Sequence, residues 1–247
     1  MLVCDRSTSS TCDEVKVEAA ALAFLGSNPP PGSTFTVLAT GCDVGDVTVV
    51  LELRVPRRWG GGVASRKRRW RRESEELIAD LILPPLSDCS GIVATLWKSG
   101  RALAEANGHG QLILVSDLRE VSAALGFNFE REVPKPSAFV KKLREEGLLP
   151  DLSGSDSYVC GVHDRRNPDG TPWTARQSQT LREAWQAAFA AMGLPGAVLR
   201  EECRFEDLFR RSKDADSLRR ARSSLPPALT PSPHRSNRPV RNDQEDR

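Results

Sequence analysis

The sequence predicts a doubly wound α/β domain with three layers, built on a mainly parallel sheet with one antiparallel edge strand. Three observations carry this. Apolar runs at residues 1–4, 111–115 and 158–162 hold no charge and read as strands buried on both faces. Stretches with helical apolar spacing alternate with those runs, the signature of parallel crossover units. The chain has 247 residues, 39% of them hydrophobic and 28% charged, enough for one full core with additions.

The elements follow in order. Met1-Leu2-Val3-Cys4 is the first strand, cut off sharply by Asp5. Residues 11–26 read as a helix whose apolar face is Val15, Val17, Ala20, Ala21, Ala23 and Leu25; Asp13 and Glu14 sit where the helix dipole favours acids. Asn28-Pro29-Pro30-Pro31-Gly32 ends it. Residues 34–39 and 46–55 are β-rich, with a Gly41-to-Gly45 turn between them. Residues 54–72 form a basic insertion with nine Arg or Lys and no acid, read as a mobile loop around Gly60-Gly61-Gly62 with Trp59 and Trp70. Ser74 then caps a short helix over 74–81, stopped by Pro84-Pro85.

A longer helix spans 92–107 with Ile92, Leu96 and Leu103 on its buried stripe, and the strand at 111 follows. Residues 118–152 hold turns and a helix over 137–146. After the 158–162 strand and a polar loop, Thr174 to Gln177 makes a capping box. Leu181, Ala184, Trp185, Ala188, Phe189 and Met192 form one continuous face on the helix it opens. Residues 197–199 add a last edge strand. The domain is expected over 1–207, with a disordered Arg-, Ser- and Pro-rich tail over 208–247.

Composition narrows the function classes. Formal net charge is only +2, so nucleic-acid binding must rest on a local patch, Arg66, Lys67, Arg68, Arg69 and Trp70. The six cysteines show no C-x-x-C pair and are read as reduced thiols in a cytoplasmic protein. No run of 18 apolar residues predicts a membrane span, and Asp5 arrives before a signal peptide's apolar region could form; a start displaced upstream would change that localisation. No phosphate-binding loop, dinucleotide fingerprint or nucleophile elbow occurs. His163-Asp164 is a candidate base with its orienter, yet a lone loop histidine is more often a surface residue. The chain is expected not to be an enzyme; a metal-dependent hydrolase is the least favoured reading.

In a doubly wound fold the ligand site lies beyond the carboxyl ends of the strands. Asp5-Arg6-Ser7-Thr8-Ser9 places a carboxylate and two hydroxyls at alternate positions there. Read alone, the stretch serves equally as a polar loop capping the next helix. Ser90 opens the helix that feeds the central strand, and Asp117 follows that strand. All are oxygen donors, suited to a hard dication.

Asp5-x-Ser7-x-Ser9, the run Ser90-Gly91-Ile92-Val93-Ala94-Thr95-Leu96 and the strand end Leu114-Val115-Ser116-Asp117 together resemble the von Willebrand factor A domain with its metal-ion-dependent adhesion site. The resemblance covers about residues 1–200 and implies that fold, Rossmann-like in its winding. It also implies a Mg²⁺ or Mn²⁺ ion held by the hydroxyls of Ser7, Ser9 and Ser90, with Asp5 and Asp117 acting mostly through water. Ser87 is the alternative to Ser90. A partner protein would add an acidic residue to the metal. The chain departs from the family in three places: Ser90 stands for Thr, Gly91 for Asp, and Leu118 for Gly.

Overall fold

The computed structural model describes residues 1–10, 12–105, 110–162, 171–206 and 208–209. Among the described residues six strands form one sheet in the order β3-β2-β1-β4-β7-β8. β1 (Leu2–Cys4) lies at its centre, parallel to β2 (Thr34–Ala39) on one side and to β4 (Gln111–Val115) on the other. β3 (Thr48–Arg54) is the antiparallel edge, while β7 (Asp156–Cys160) and β8 (Leu199–Arg200) extend the parallel part. β5 (Val121–Ser122) and β6 (Phe127–Asn128) make a separate small hairpin, too short for any sequence period to reveal. The expected α/β class, mainly parallel with one antiparallel edge strand, is what the structure has.

Alternation along the central strands sorts two cores. Leu2, Cys4, Ile113 and Val115 face a layer containing α1 (Glu14–Gly26) and Ile78 of α2 (Val63–Ala79). Val3, Leu112 and Leu114 face α3 (Ile92–Glu105), α4 (Pro136–Glu145) and α5 (Ala175–Ala191). Side chains of successive strand residues point to opposite faces, so three apolar residues in β1 serve both layers. The α5 capping box is present as expected: Thr174 Oγ1 accepts from the Gln177 amide at 3.2 Å, and Gln177 accepts from the Thr174 amide at 2.9 Å.

Four expectations change. α1 begins at Glu14 with Asp13 as its N-cap, and Val15 is 72% exposed, outside the buried face. The basic stretch is a loop only over residues 55–62, and no helix starts at Ser74: α2 begins at Val63 and runs through the rest of the stretch and past Ser74. Arg69, Arg71 and Arg72 pair with Glu73, Glu75 and Glu76 one turn later, and i, i+4 pairs of opposite charge support a helix. Trp70 packs edge-on against Trp59 and donates its indole N–H to the Arg54 carbonyl at 3.0 Å.

The cysteines are not free thiols. Cys4–Cys12, Cys42–Cys89 and Cys160–Cys203 are bridged, with Cα separations of 5.5, 5.2 and 5.2 Å. Such bridges persist where the compartment is oxidising, which argues against the cytoplasmic placement. Finally, Leu208 is buried and Phe209 packs against Phe24 and Phe35, so the packed domain takes in residues assigned above to the tail. The rest of that tail and the loop bearing His163 and Asp164 lie outside the described residues. Among the described residues no helix is long and apolar enough to cross a membrane.

Candidate functional site

The loop leaving β1 is folded around the Asp5 carboxylate, which is fully buried. The Asp5 amide still belongs to the sheet and donates to the Val115 carbonyl at 3.0 Å. Oδ1 accepts from the Ser7 amide at 3.0 Å, the Ser90 hydroxyl at 2.9 Å and Thr40 Oγ1 at 3.3 Å. Oδ2 accepts from the Ser116 hydroxyl at 2.7 Å. Three elements thus deliver hydroxyls to one carboxylate: Thr40 follows β2, Ser90 precedes α3 and Ser116 follows β4. Bonds to an ionised acceptor are the stronger kind. Burial nevertheless pushes the Asp5 carboxyl up to about 6; the nearby Asp117 charge adds to this, and the bonds from Ser116, Ser7 and Ser90 oppose it.

Ser7 and Ser9 sit together at the rim, their Oγ atoms 3.4 Å apart. Their loop is fastened by Arg6, whose Nε and Nη1 donate to the carbonyls of Pro84 and Cys12 at 3.0 and 2.9 Å. Of the two candidates for the third hydroxyl, Ser90 meets Asp5. Ser87 instead pairs through its backbone with Arg6 and Thr8, and its Oγ donates to the Cys89 carbonyl at 2.8 Å.

Asp117 is also fully buried. Its Oδ1 accepts from the Arg119 amide at 2.9 Å, and the Arg119 guanidinium reaches Oδ2 at 3.4 Å. That guanidinium also lies 3.8 Å from Glu130 and over the Trp173 ring at 5.2 Å. The turn between them is fixed from the other layer, where Trp185 Nε1 donates to the Leu118 carbonyl at 2.6 Å.

Glu120, Ser116 and Thr40 belong to this centre although the sequence reading did not assign them to it. Ser116 and Thr40 each follow a parallel strand at the edge where ligands gather, which was the available signal. Glu120 gave none. It is fully buried, its Oε2 accepts from the Val93 amide at the start of α3 at 3.1 Å, and its Oε1 has no hydrogen-bond partner. Burial pushes its carboxyl up to about 8; the Val93 bond opposes the shift and the Asp5 charge adds to it.

The side chains gathered on Asp5 are hydroxyls, and oxygen is the donor a hard dication prefers. Among the described residues no group of three or more His, Cys, Asp or Glu side chains is arranged to hold a metal ion. A cation here would therefore depend on hydroxyls beside two carboxylates. The orphaned Glu120 Oε1 and the concentration of buried carboxylates are compatible with added positive charge, since buried anions are costly unless a proton or cation offsets them.

Fold and residues together define a doubly wound α/β protein with an oxygen-lined, carboxylate-rich centre at the carboxyl edge of its parallel strands. No family model and no curated protein matches the chain. Among solved structures, an aerotolerance-related membrane protein from Bacteroides fragilis NCTC 9343, carrying multiple mutations to serines, is similar at 12% identity. The match covers 87% of this chain and 96% of that one, with a TM-score of 0.40. At that score the likeness bears on neither fold nor function, which rest on this chain's own topology and residues.

Proposed function

We propose that this chain is a divalent-metal-dependent protein-interaction domain and not an enzyme. The observation that carries the reading is the burial of Asp5, Asp117 and Glu120 on one sheet edge, where the Arg119 guanidinium pairs with Asp117. Mg²⁺ or Mn²⁺ would be held by the hydroxyls of Ser7, Ser9 and Ser90, with Asp5 and Asp117 supplying charge. When bound, the ion offers a coordination position to a carboxylate from a partner protein. The hydroxyls at Ser90 and Ser116 both donate to Asp5, which commits them to supporting that carboxylate and favours binding over nucleophilic chemistry.

Nucleic-acid contact through Arg66, Lys67, Arg68 and Arg69 stays the runner-up. It would rest mainly on phosphate contacts, because Trp59 and Trp70 pack edge to face and Trp70 is held through its indole N–H by the Arg54 carbonyl. Titration calorimetry with MgCl₂ and MnCl₂ tests the main reading, followed by partner capture with and without EDTA. One binding event lost in Asp5→Ala is the expected result. Absence of heat at millimolar metal, with capture indifferent to EDTA, would overturn it.

A further inference from the structure

Two disulfides lie in the candidate site itself. Cys4–Cys12 spans the loop bearing Asp5, Ser7 and Ser9 and is buried at both ends. Cys42–Cys89 is placed differently: Cys42 is exposed and Cys89 half-buried. Cys89 is bonded to Ser90, and Cys42 lies two residues beyond Thr40, so the bridge joins the segments that bring two hydroxyls to Asp5 Oδ1. Between them the backbones touch. The Gly91 amide donates to the Gly41 carbonyl at 2.8 Å, and a Cβ on Gly91 would lie 2.5 Å from that oxygen.

We propose that Cys42–Cys89 is a thiol–disulfide exchange site that sets the metal affinity of the Asp5 centre by clasping the Thr40 and Ser90 segments together. The effect on metal rests on the function proposed above; the clasp itself does not. A dithiol reductant, as thiolate, attacks Cys42 Sγ and forms a mixed disulfide. The Cys42–Cys89 bond breaks and Cys89 leaves as a thiolate, which takes up a proton. The second thiol of the reductant then displaces Cys42 as its thiol, and the reductant departs as a cyclic disulfide. Ser87 Oγ lies 2.9 Å from Cys89 Sγ, in reach of the departing thiolate. Access favours this bridge, because Cys42 is exposed while Cys4, Cys12 and Cys160 are buried and Cys203 is half-buried. Ser90 stays paired through its backbone with Val121, so opening the bridge relaxes the site without dismantling it.

The test treats the full chain with graded dithiothreitol and maps the freed thiols by alkylation and mass spectrometry. Amide exchange at Gly91 is followed by NMR, and Mg²⁺ affinity by calorimetry. Cys42 and Cys89 should be labelled before any other pair, and Gly91 exchange should accelerate about tenfold or more. Mg²⁺ affinity should fall roughly 10-fold, as when a supporting contact of a metal ligand is lost, and reoxidation should restore it. The double variant Cys42→Ser, Cys89→Ser should reproduce the reduced state and ignore the reductant. Labelling of Cys4 and Cys12 or of Cys160 and Cys203 first, unchanged Gly91 exchange with the bridge open, or unchanged Mg²⁺ affinity would overturn the proposal. Accelerated Gly91 exchange with no Mg²⁺ binding in either state supports the clasp and sinks the metal reading instead.

Discussion

Ser116 and Ser9 both belong to the oxygen-rich edge, yet the structure gives them different work, and alanine at each should separate support from ligation. Ser116 is fully buried. Its hydroxyl donates to Asp5 Oδ2 at 2.7 Å and accepts from the Leu118 amide at 2.8 Å. Ser116→Ala removes a bond to a charged group, worth about 1.5–3 kcal/mol, and strands a buried amide at about 1–3 kcal/mol more. With partial relaxation the loss should be roughly 2–5 kcal/mol. At about 2–4 °C per kcal/mol for a chain of this size, the melting temperature should fall by roughly 5–15 °C without any metal present.

Ser9 is half-buried at the rim, with its Oγ 3.4 Å from that of Ser7. Ser9→Ala should cost less metal-free stability than Ser116→Ala, no more than about 1.5 kcal/mol, the worth of an ordinary hydrogen bond. Its effect should appear on adding Mg²⁺. At a hundredfold excess over Kd, binding stabilises the parent chain by about 2.7 kcal/mol, a rise of roughly 5–10 °C, and Ser9→Ala should lose most of that rise. Differential scanning calorimetry with EDTA and with MgCl₂ reads both effects. The reasoning fails if Ser116→Ala melts within about 1 °C of the parent, or if Ser9→Ala keeps the full Mg²⁺ response.

Two further predictions address buried groups around the centre. Glu120 has its folded pKa raised to about 8 from 4.5, so the folded state holds its proton while the unfolded state releases it. Stability should therefore be unaffected by Glu120 below about pH 4.5 and decline as pH rises toward 8, by at most about 1.4 kcal/mol per unit. Glu120→Gln should flatten that decline in urea titrations between pH 5 and 8; an unchanged slope would show that the carboxyl is not held neutral. Trp185→Phe keeps an aromatic ring in the core but deletes the N–H that the Leu118 carbonyl accepts. It should cost about 1–3 kcal/mol, and a loss under about 0.3 kcal/mol would mean the 2.6 Å contact contributes little.

Legibility in the sequence followed the range of the signal. β1 and β4 were readable because a strand covered on both faces needs an unbroken apolar run, and α5 because a capping box precedes a continuous apolar face. α2 was misread for a definable reason. Residues 54–72 hold only cations, while the acids that pair with them, Glu73, Glu75 and Glu76, lie just beyond that window. The disulfides were missed because two of them join cysteines 47 and 43 residues apart, where spacing carries no information. Asp5, Ser90 and Asp117 could be gathered at one edge by topology alone. Glu120 could not, since a surface glutamate and a buried one are spelled alike.

Two residues at the candidate site have local causes in this chain's packing. The Gly41 carbonyl would lie 2.5 Å from any Cβ placed on Gly91. The same close approach that brings Ser90 beside Thr40 therefore excludes a larger residue at 91. Leu118 has a φ of 68°, the left-handed conformation that glycine adopts freely. Holding leucine there costs about 1–2 kcal/mol. Complete burial of its side chain among the α3, α4 and α5 residues returns about 1.5–3 kcal/mol, and the Trp185 bond adds to that. The turn after Asp117 thus keeps the geometry a glycine would give while anchoring itself in the core. In this chain the conformation of the candidate site is set by packing beneath it, so a substitution under Leu118 reaches Asp117 without touching the edge itself.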